Sequence, residues 1–508
     1  MGLLTLWLKV KGNGKEKKKA EENIDNQLAD VDFYSQMAYM ASISTSGISR
    51  SGLFYYSAKL PYIATRYFRR VDFVAKMFNH DYSQACRIIG EKIKIPNIKA
   101  LLLRLSNALA SGEDVSAFLA REAYILSEHY SSSYERKIDL LKKWADAYVS
   151  LILTSALVTV MSVVTMMIGS VSVPFIVAIS AITILATIFG AWFLYNTAPR
   201  ETQHHSLSYH SREQNTVKYL TRILLPLGGI VLLVMLVLKM DLGYMMLAAS
   251  VFLFPIGVVA TTDDKKVTQR DTDVSAFLRS LGGTMQAIGA TAAEAMGRLD
   301  FRSLGSLSDD VQLLHTRLSA GVSPNLCWDR FVGETGSELV NRSVRMFWDG
   351  VSLGGEPQRV GNEASAYALK ISLLRAQRNQ VSIGFTWLTI AMHAVLVTLS
   401  IFVYEIFLCF STLISSIVPD SAKSTMQNMM SMPSTGFFTQ GGTEIHLLHF
   451  MIILITIILT LANAFSIYAV SGGNRSKLTF YLAITCAISG AIMIGVPPVV
   501  QMMFTAFK

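Results

Sequence analysis

The sequence predicts an all-α, polytopic membrane protein carrying two homologous cytoplasmic helical bundles, and three observations predict it. Hydrophobic residues make up 51% of the chain and mean hydropathy is +0.40, too apolar for an ordinary soluble protein. The charged residues gather in two long blocks separated by apolar runs. Helical spacing recurs along the chain, whereas no stretch alternates with a period of two for long.

The clearest helix runs from Glu113 to Ile168, 56 residues without glycine or proline. Its apolar positions Val115, Leu119, Ala123, Leu126, Tyr130, Tyr134, Ile138, Leu141, Ala145 and Tyr148 are three or four apart. Charges lace the first part and vanish after Val149, so the helix leaves water and enters a bilayer. At about 1.5 Å per residue it would reach roughly 80 Å, against a hydrocarbon core of about 30 Å, which leaves much of it outside as a stalk. A second stalk runs from Asn362 to Gln380 and feeds the apolar run Val381 to Tyr404.

Taken in order, residues 1–29 read as a polar, basic tail, its apolar residues preceding Lys15 to Lys19 in the reverse of a signal-peptide order. Residues 30–147 read as a first cytoplasmic helical domain, with short helices at Phe54 to Phe68, Ser83 to Ile93 and Ile98 to Ala110. Residues 148–260 hold four spans around a cytoplasmic loop at 197–222. Residues 261–382 form a second cytoplasmic domain, with helices at Asp309 to Leu318, Asn325 to Val332 and Ser337 to Val351. Residues 383–508 hold three more spans and an external loop, 411–445, with a methionine-rich patch at Met426 to Met432.

The expected spans are Val149 to Ile168, Val171 to Asn196, Ile223 to Leu238, Leu242 to Ala260, Val381 to Tyr404, His446 to Val470 and Leu478 to Phe507. Pro226 marks an irregular entry to the third. Of the 45 Lys and Arg, 42 fall on segments that share one side. The positive-inside rule makes that side cytoplasmic, in the plasma membrane, with the N-terminus inside and the C-terminus outside.

The two polar blocks share a weak internal repeat. Helical runs end at Gly47 and at Gly289, and 65 and 66 residues later Gly112 and Gly355 precede the stalks. Glycine at such places fits a helix end, where the backbone turns left-handed.

Chemistry is scarce. Cys86, Cys327, Cys409 and Cys486 are scattered, which suggests neither a disulfide framework nor zinc. No phosphate-binding G-x-x-x-x-G-K-[ST] loop occurs, and Glu201, His204, His205 and His210 follow no metal-ligand spacing and read as a solvated loop. No catalytic residue, cofactor or metal is expected. Two ionisable groups sit on the Val381 span: His393, about 18 Å in, where an interhelical hydrogen bond is the ordinary role, and Glu405, about 36 Å along and beyond the core. Residues 59–104 hold ten bases against three acids. Arg66, Arg69, Arg70, Lys76 and Arg87 are the candidates for contact with an acidic partner, or with anionic lipid headgroups. The interleaved Tyr67 and Phe68 read as core, which argues against nucleic acid.

Ser44-Thr45-Ser46-Gly47-Ile48, and above all the run Leu105 to Ala120 with Ser111-Gly112-Glu113-Asp114-Val115-Ser116 at its centre, resemble the F-domain platform proteins of type II secretion and type IV pilus machines, in particular their archaeal relatives. Pro357-Gln358-Arg359 departs from that pattern in the second block. The resemblance implies a non-enzymatic scaffold for assembling pilus-like filaments or archaella. It further implies a hexameric secretion ATPase and pilin-like or archaellin subunits as partners, with membrane lipids around it and a homodimer by family analogy. The rival readings are a secondary transporter and a membrane-linked signalling scaffold.

Overall fold

The computed structural model describes residues 30–167, 173–205, 209–417 and 442–505. Among them every regular element is a helix, and no strand is present. The chain divides into two compact units. The polar unit comprises the described residues up to Arg136, with Pro199–Arg212 and Lys265–Ala376; the apolar unit comprises Lys137–Ala198, Glu213–Asp264 and the described residues from Gln377 onward. The blocks expected as two bundles thus fold as one unit, and the short loop between spans belongs to it.

At the centre of the polar unit is the helix 30–44, in which every residue from 32 to 44 is buried. It reads as amphipathic, but only a helix enclosed on all sides is buried all round. Further short elements of the first block follow, with sequence-encoded ends. Ser49 caps Arg50–Ser57 by accepting from the Gly52 N–H at 3.2 Å, and Asp81 caps Tyr82–Lys92 by accepting from the Ser83 N–H at 3.2 Å. Thr65–Met77 lies between them, and Pro96–Ser111 opens on its proline and closes on Gly112 at φ 75°. The helix expected from Phe54 to Phe68 is broken around Pro61, which has no N–H to give a helix; beyond the break, Asp32 accepts the Ile63 N–H at 2.9 Å.

The second block runs through Ala292–Gly297, a 3-10 segment at Phe301–Leu307, Ser308–Ser319, Pro324–Thr335 and Glu338–Ser352. Ser337 caps the last of these through the Val340 N–H at 3.2 Å. Gly47, Gly112 and Gly289 follow helices and carry positive φ, but before the second stalk the positive φ belongs to Gly354. Gly355 answers a different need, since a Cβ there would stand 2.8 Å from both the Gly350 carbonyl oxygen and Thr45 Oγ1. Three helices run from one unit into the other: Val115–Met167, Leu242–Ile288 and Pro357–Ile417. The second of these joins the expected fourth span to the run ending at Ile288 without a break.

Among the described residues, six helices are long and apolar enough to cross a membrane: Val177–Thr197, Arg212–Val237, Leu242–Ile288, Pro357–Cys409, His449–Ser471 and Arg475–Phe504. The remaining expected span, Val149 to Ile168, runs into residues outside the described set. The helix containing the third expected span begins at Arg212, so Pro226 lies within it rather than at its entry. Tail residues 1–29 and the Met426 to Met432 patch also fall outside the described residues. Leu233, Val237 and Val251 face outward, as lipid-facing side chains do. Close backbone approach holds Leu242–Ile288 to Leu478–Thr505: Gly257 lies so near Phe480 that a Cβ would stand 2.4 Å from its Cα. Cys86, Cys327 and Cys486 are buried and Cys409 is half-buried, all as free thiols.

Candidate functional site

The helix Thr65–Met77 has two faces set by its spacing. Tyr67, Phe68, Val71 and Ala75 are buried. Arg66, Arg70, Phe73 and Met77, at intervals of four, three and four, are exposed, as is Arg69 beside them. Arg66 lies over the Tyr67 ring at 4.9 Å, and Arg69 donates twice to the Ala58 carbonyl oxygen, at 3.3 and 3.1 Å from Nε and Nη2. Lys76 pairs with Asp72 at 2.8 Å, and Asp72 also accepts from the Tyr82 hydroxyl at 2.9 Å. Arg87 stands on the next helix, paired with Glu91 at 3.2 Å and exposed. Arg66, Arg69, Lys76 and Arg87 thus each have a local contact, and they and Arg70 remain open to solvent. What the sequence pattern missed is the apolar end of the face: Phe73, Met77 and Phe78 are 55%, 68% and 64% exposed. The exposed face of this helix thus combines Arg66, Arg69, Arg70 and Lys76 with Phe73 and Met77.

A buried ion network underlies the unit. Arg342 reaches Asp32 at 2.8 Å, Glu338 at 2.9 Å and Ser35 Oγ at 2.8 Å, and its guanidinium lies over the Tyr62 ring at 4.5 Å. Ser35 Oγ is also 2.6 Å from the Tyr367 hydroxyl. Arg375 bridges Glu201 at 2.8 Å and Asp271 at 2.6 Å; these acids accept from the Tyr134 and Ser337 hydroxyls respectively. Arg270 pairs with Asp310 at 2.8 Å and donates to the Thr335 carbonyl oxygen at 3.1 Å. Burial pushes the Asp310 carboxyl up from its ordinary range, and Arg270 opposes the shift. Such pairs contribute less to net stability than to fixing one arrangement, because desolvation offsets their attraction.

The loop expected to be solvated is in fact packed into this unit. The Glu338 N–H donates to the Gln203 carbonyl oxygen at 2.9 Å, and His205 is buried with Nε2 3.3 Å from the Gly333 carbonyl oxygen. Burial lowers the His205 pKa. No local pattern signals this packing, because the partners of Glu201 and His205 lie far along the chain, at Arg375 and Gly333. Among the described residues, no group of three or more His, Cys, Asp or Glu could hold a metal.

In the apolar unit His393 is fully buried. The Tyr148 hydroxyl donates to Asn463 Oδ1 at 2.8 Å, which orients the Asn463 amide to donate to His393 Nδ1 at 3.0 Å. Nδ1 is then an acceptor, so Nε2 carries the proton and faces Ser489 Oγ at 2.9 Å and the Thr485 carbonyl oxygen at 3.3 Å. The arrangement is that of a neutral imidazole joining several helices. Glu405 is half-exposed and lines a cleft with Asp241, Tyr404 and His449. His393 and Glu405 therefore stand in different surroundings and do not form one site.

No family model matches the chain, and no solved structure does. Two proteins, both named flagella accessory protein J, are similar to it. The one from Methanocaldococcus jannaschii is 26% identical over 314 residues, 59% of this chain and 55% of that protein. The one from Methanococcus voltae is 23% identical over 332 residues, 61% of this chain and 58% of that protein. The match thus spans little more than half the length of either relative. Even so, over about 60% of its length the chain is similar to proteins named flagella accessory protein J, which agrees with the resemblance to archaeal filament platforms read from the sequence.

Proposed function

We propose that the protein is a non-enzymatic membrane platform for assembly of an archaellum or a related type IV pilus-like filament. In this reading the apolar unit accommodates pilin-like subunits and the polar unit engages a secretion ATPase on the cytoplasmic side. The observation that carries it is the similarity to two relatives named flagella accessory protein J over about 60% of the chain. The gathering of Lys and Arg on one side of the spans supports the cytoplasmic placement, and the open basic face of Thr65–Met77 offers the ATPase a surface.

The test is reversal of Arg66, Arg69 and Arg70 to Glu together. All three are exposed, so folding and membrane insertion should persist while co-purification of the ATPase falls and filaments are lost. Wild-type binding should weaken with salt. Unchanged ATPase binding in the triple variant, with lost binding to anionic vesicles, would assign the face to lipid. A strain lacking the protein that still builds normal filaments would overturn the platform reading itself.

A further inference from the structure

The polar unit also contains a cleft of about 300 Å³, open to solvent, between the first-block residues around Lys59 and the helices Pro324–Thr335 and Glu338–Ser352. Its volume is at the lower end of the range for ligand sites. Trp328 lines the cleft, is 3% exposed, and its indole N–H has no acceptor among the described residues. A buried donor without an acceptor is costly and calls for a partner. Arg345, half-buried on the same wall, makes no hydrogen bond or close ion pair among the described residues, and its charge acts on the Asp349 carboxylate one turn on. The nearby Asp349 carboxylate is already engaged by the Tyr39 hydroxyl at 2.7 Å. Lys59 contributes a second cation, 4.0 Å over the Tyr55 ring.

The rest of the wall selects among ligands that bring acceptors. Trp348 packs on Trp328 with ring centroids 5.8 Å apart, and its own N–H is fixed on Asn325 Oδ1 at 2.7 Å, which leaves an aromatic wall for an apolar side chain. Asp329 and Asp349 balance the two cations, so the cleft as a whole is not a basic pocket. A phosphate, with charge spread over several oxygens, meets two carboxylates there. A peptide meets donors for its carbonyls and one guanidinium for a carboxylate, and its remaining surface is neutral.

We propose that this cleft binds a short segment of a partner protein that presents an acidic side chain beside an apolar one, the carboxylate at Arg345 and the apolar side chain against Trp348. Nothing in the platform reading requires this site, and it lies on different elements from the Thr65–Met77 face.

The experiment uses the full chain in lipid nanodiscs with 5-fluorotryptophan at its six tryptophans. Fluorine NMR signals of Trp328 and Trp348 are assigned by replacing each with Phe. The probes are the capped peptide acetyl-Ala-Leu-Glu-Phe-Ala-amide and its Gln and Lys counterparts. The Glu peptide should shift the Trp328 and Trp348 signals saturably and bind about tenfold more tightly than the Gln peptide, the ratio that one charge-assisted hydrogen bond supports. Arg345→Gln should abolish that preference and Arg345→Lys should keep part of it, and unmoved fluorine signals in the free variants report an intact fold. Equal binding of the three peptides, no shift at millimolar peptide, or a response to inorganic phosphate instead would overturn the proposal.

Discussion

Replacing Arg342 with Met should destabilise the polar unit more than almost any other single change. The guanidinium joins Asp32 on the central helix to Glu338 one turn before it, at 2.8 and 2.9 Å, with Ser35 and the Tyr62 ring completing its surroundings. Arg342 and Asp32 are 8% and 6% exposed. The change leaves two carboxylates without their cation, and breaking a buried pair from one side costs about 3–5 kcal/mol. For a unit of this size that corresponds to a fall of roughly 10 °C in unfolding temperature. The measurement is thermal unfolding of the protein in nanodiscs, with limited proteolysis to show which unit opens first. Removing the stranded charges as well, by Asp32→Asn and Glu338→Gln in the Arg342→Met background, should recover much of the loss, because an amide oxygen at position 32 can still accept the Ile63 N–H. Arg87→Met, which breaks the exposed Arg87–Glu91 pair, should leave the unfolding temperature unchanged. A shift below about 2 °C for Arg342→Met, or a triple variant less stable than the single one, would refute the reasoning.

Three other outcomes are expected. Burial lowers the His205 pKa below its ordinary 6.5, so its contribution to stability is present above pH 6.5 and lost as pH falls through the lowered value; His205→Gln should flatten that part of a stability-versus-pH curve measured from pH 7.5 to 5. Adjacent glycines should respond in opposite ways: a Cβ on Gly282 would stand 2.4 Å from the Pro357 carbonyl oxygen, whereas nothing lies within 4 Å of one on Gly283. Gly282→Ala should therefore lower the unfolding temperature, by about 1–3 kcal/mol of strain, while Gly283→Ala, mid-helix, should be neutral or stabilise by up to about 1 kcal/mol. With Cys409 replaced by Ser, an impermeant thiol reagent should label Lys423→Cys in intact cells and Ser319→Cys only after the membrane is opened; the reverse pattern would invert the proposed orientation.

What the sequence revealed is what depends on neighbours in sequence. Spans followed from charge-free length and helix ends from Gly47, Gly112 and Gly289, whereas spacing alone placed the starts at Phe54, Ser83, Ile98 and Asn325, one to four residues beyond those at Arg50, Tyr82, Pro96 and Pro324. Pairings across the chain were hidden, because nothing in the composition of residues 199–212 announces that Glu201 meets Arg375 or that Gln203 meets Glu338. The central helix shows the boundary between the two kinds of inference. Its apolar spacing looks like that of any half-buried helix, and Asp32, Ser35, Gln36 and Ser42 look like a wet face. One signal was available: no Lys or Arg occurs between Lys19 and Arg50, although the same block is dense in both afterwards. Long cationic side chains are the hardest to enclose, whereas small hydroxyls and a carboxylate can be enclosed when a partner supplies the complementary group. Arg342 and Ser57 supply it here, the latter through the Gln36 amide at 3.1 Å from its carbonyl oxygen.

The two polar centres differ in a way that bears on how such a protein could work. The network around His393 in the apolar unit is neutral: Tyr148, Asn463, His393, Ser489 and Thr460 exchange hydrogen bonds without an ion pair, and the Lys477–Asp264 pair of the same unit, at 2.8 Å, lies apart from it. Neutral contacts of this kind between spanning helices contribute on the order of 0.6 kcal/mol each, so helices joined by them can shift at small cost. The polar unit is fixed by charge-paired arginines on the helices Glu338–Ser352 and Pro357–Ile417, where loss of one partner costs several kcal/mol. In the reading proposed above, a platform that yields to a passing apolar helix while holding a motor would draw on this division, compliant among its spans and stiff where force is received. Replacing Asn463 by Leu should accordingly change thermal stability by far less than Arg342→Met. Equal losses would show that the spanning helices are locked as firmly as the polar unit, and the proposed division of roles would not hold.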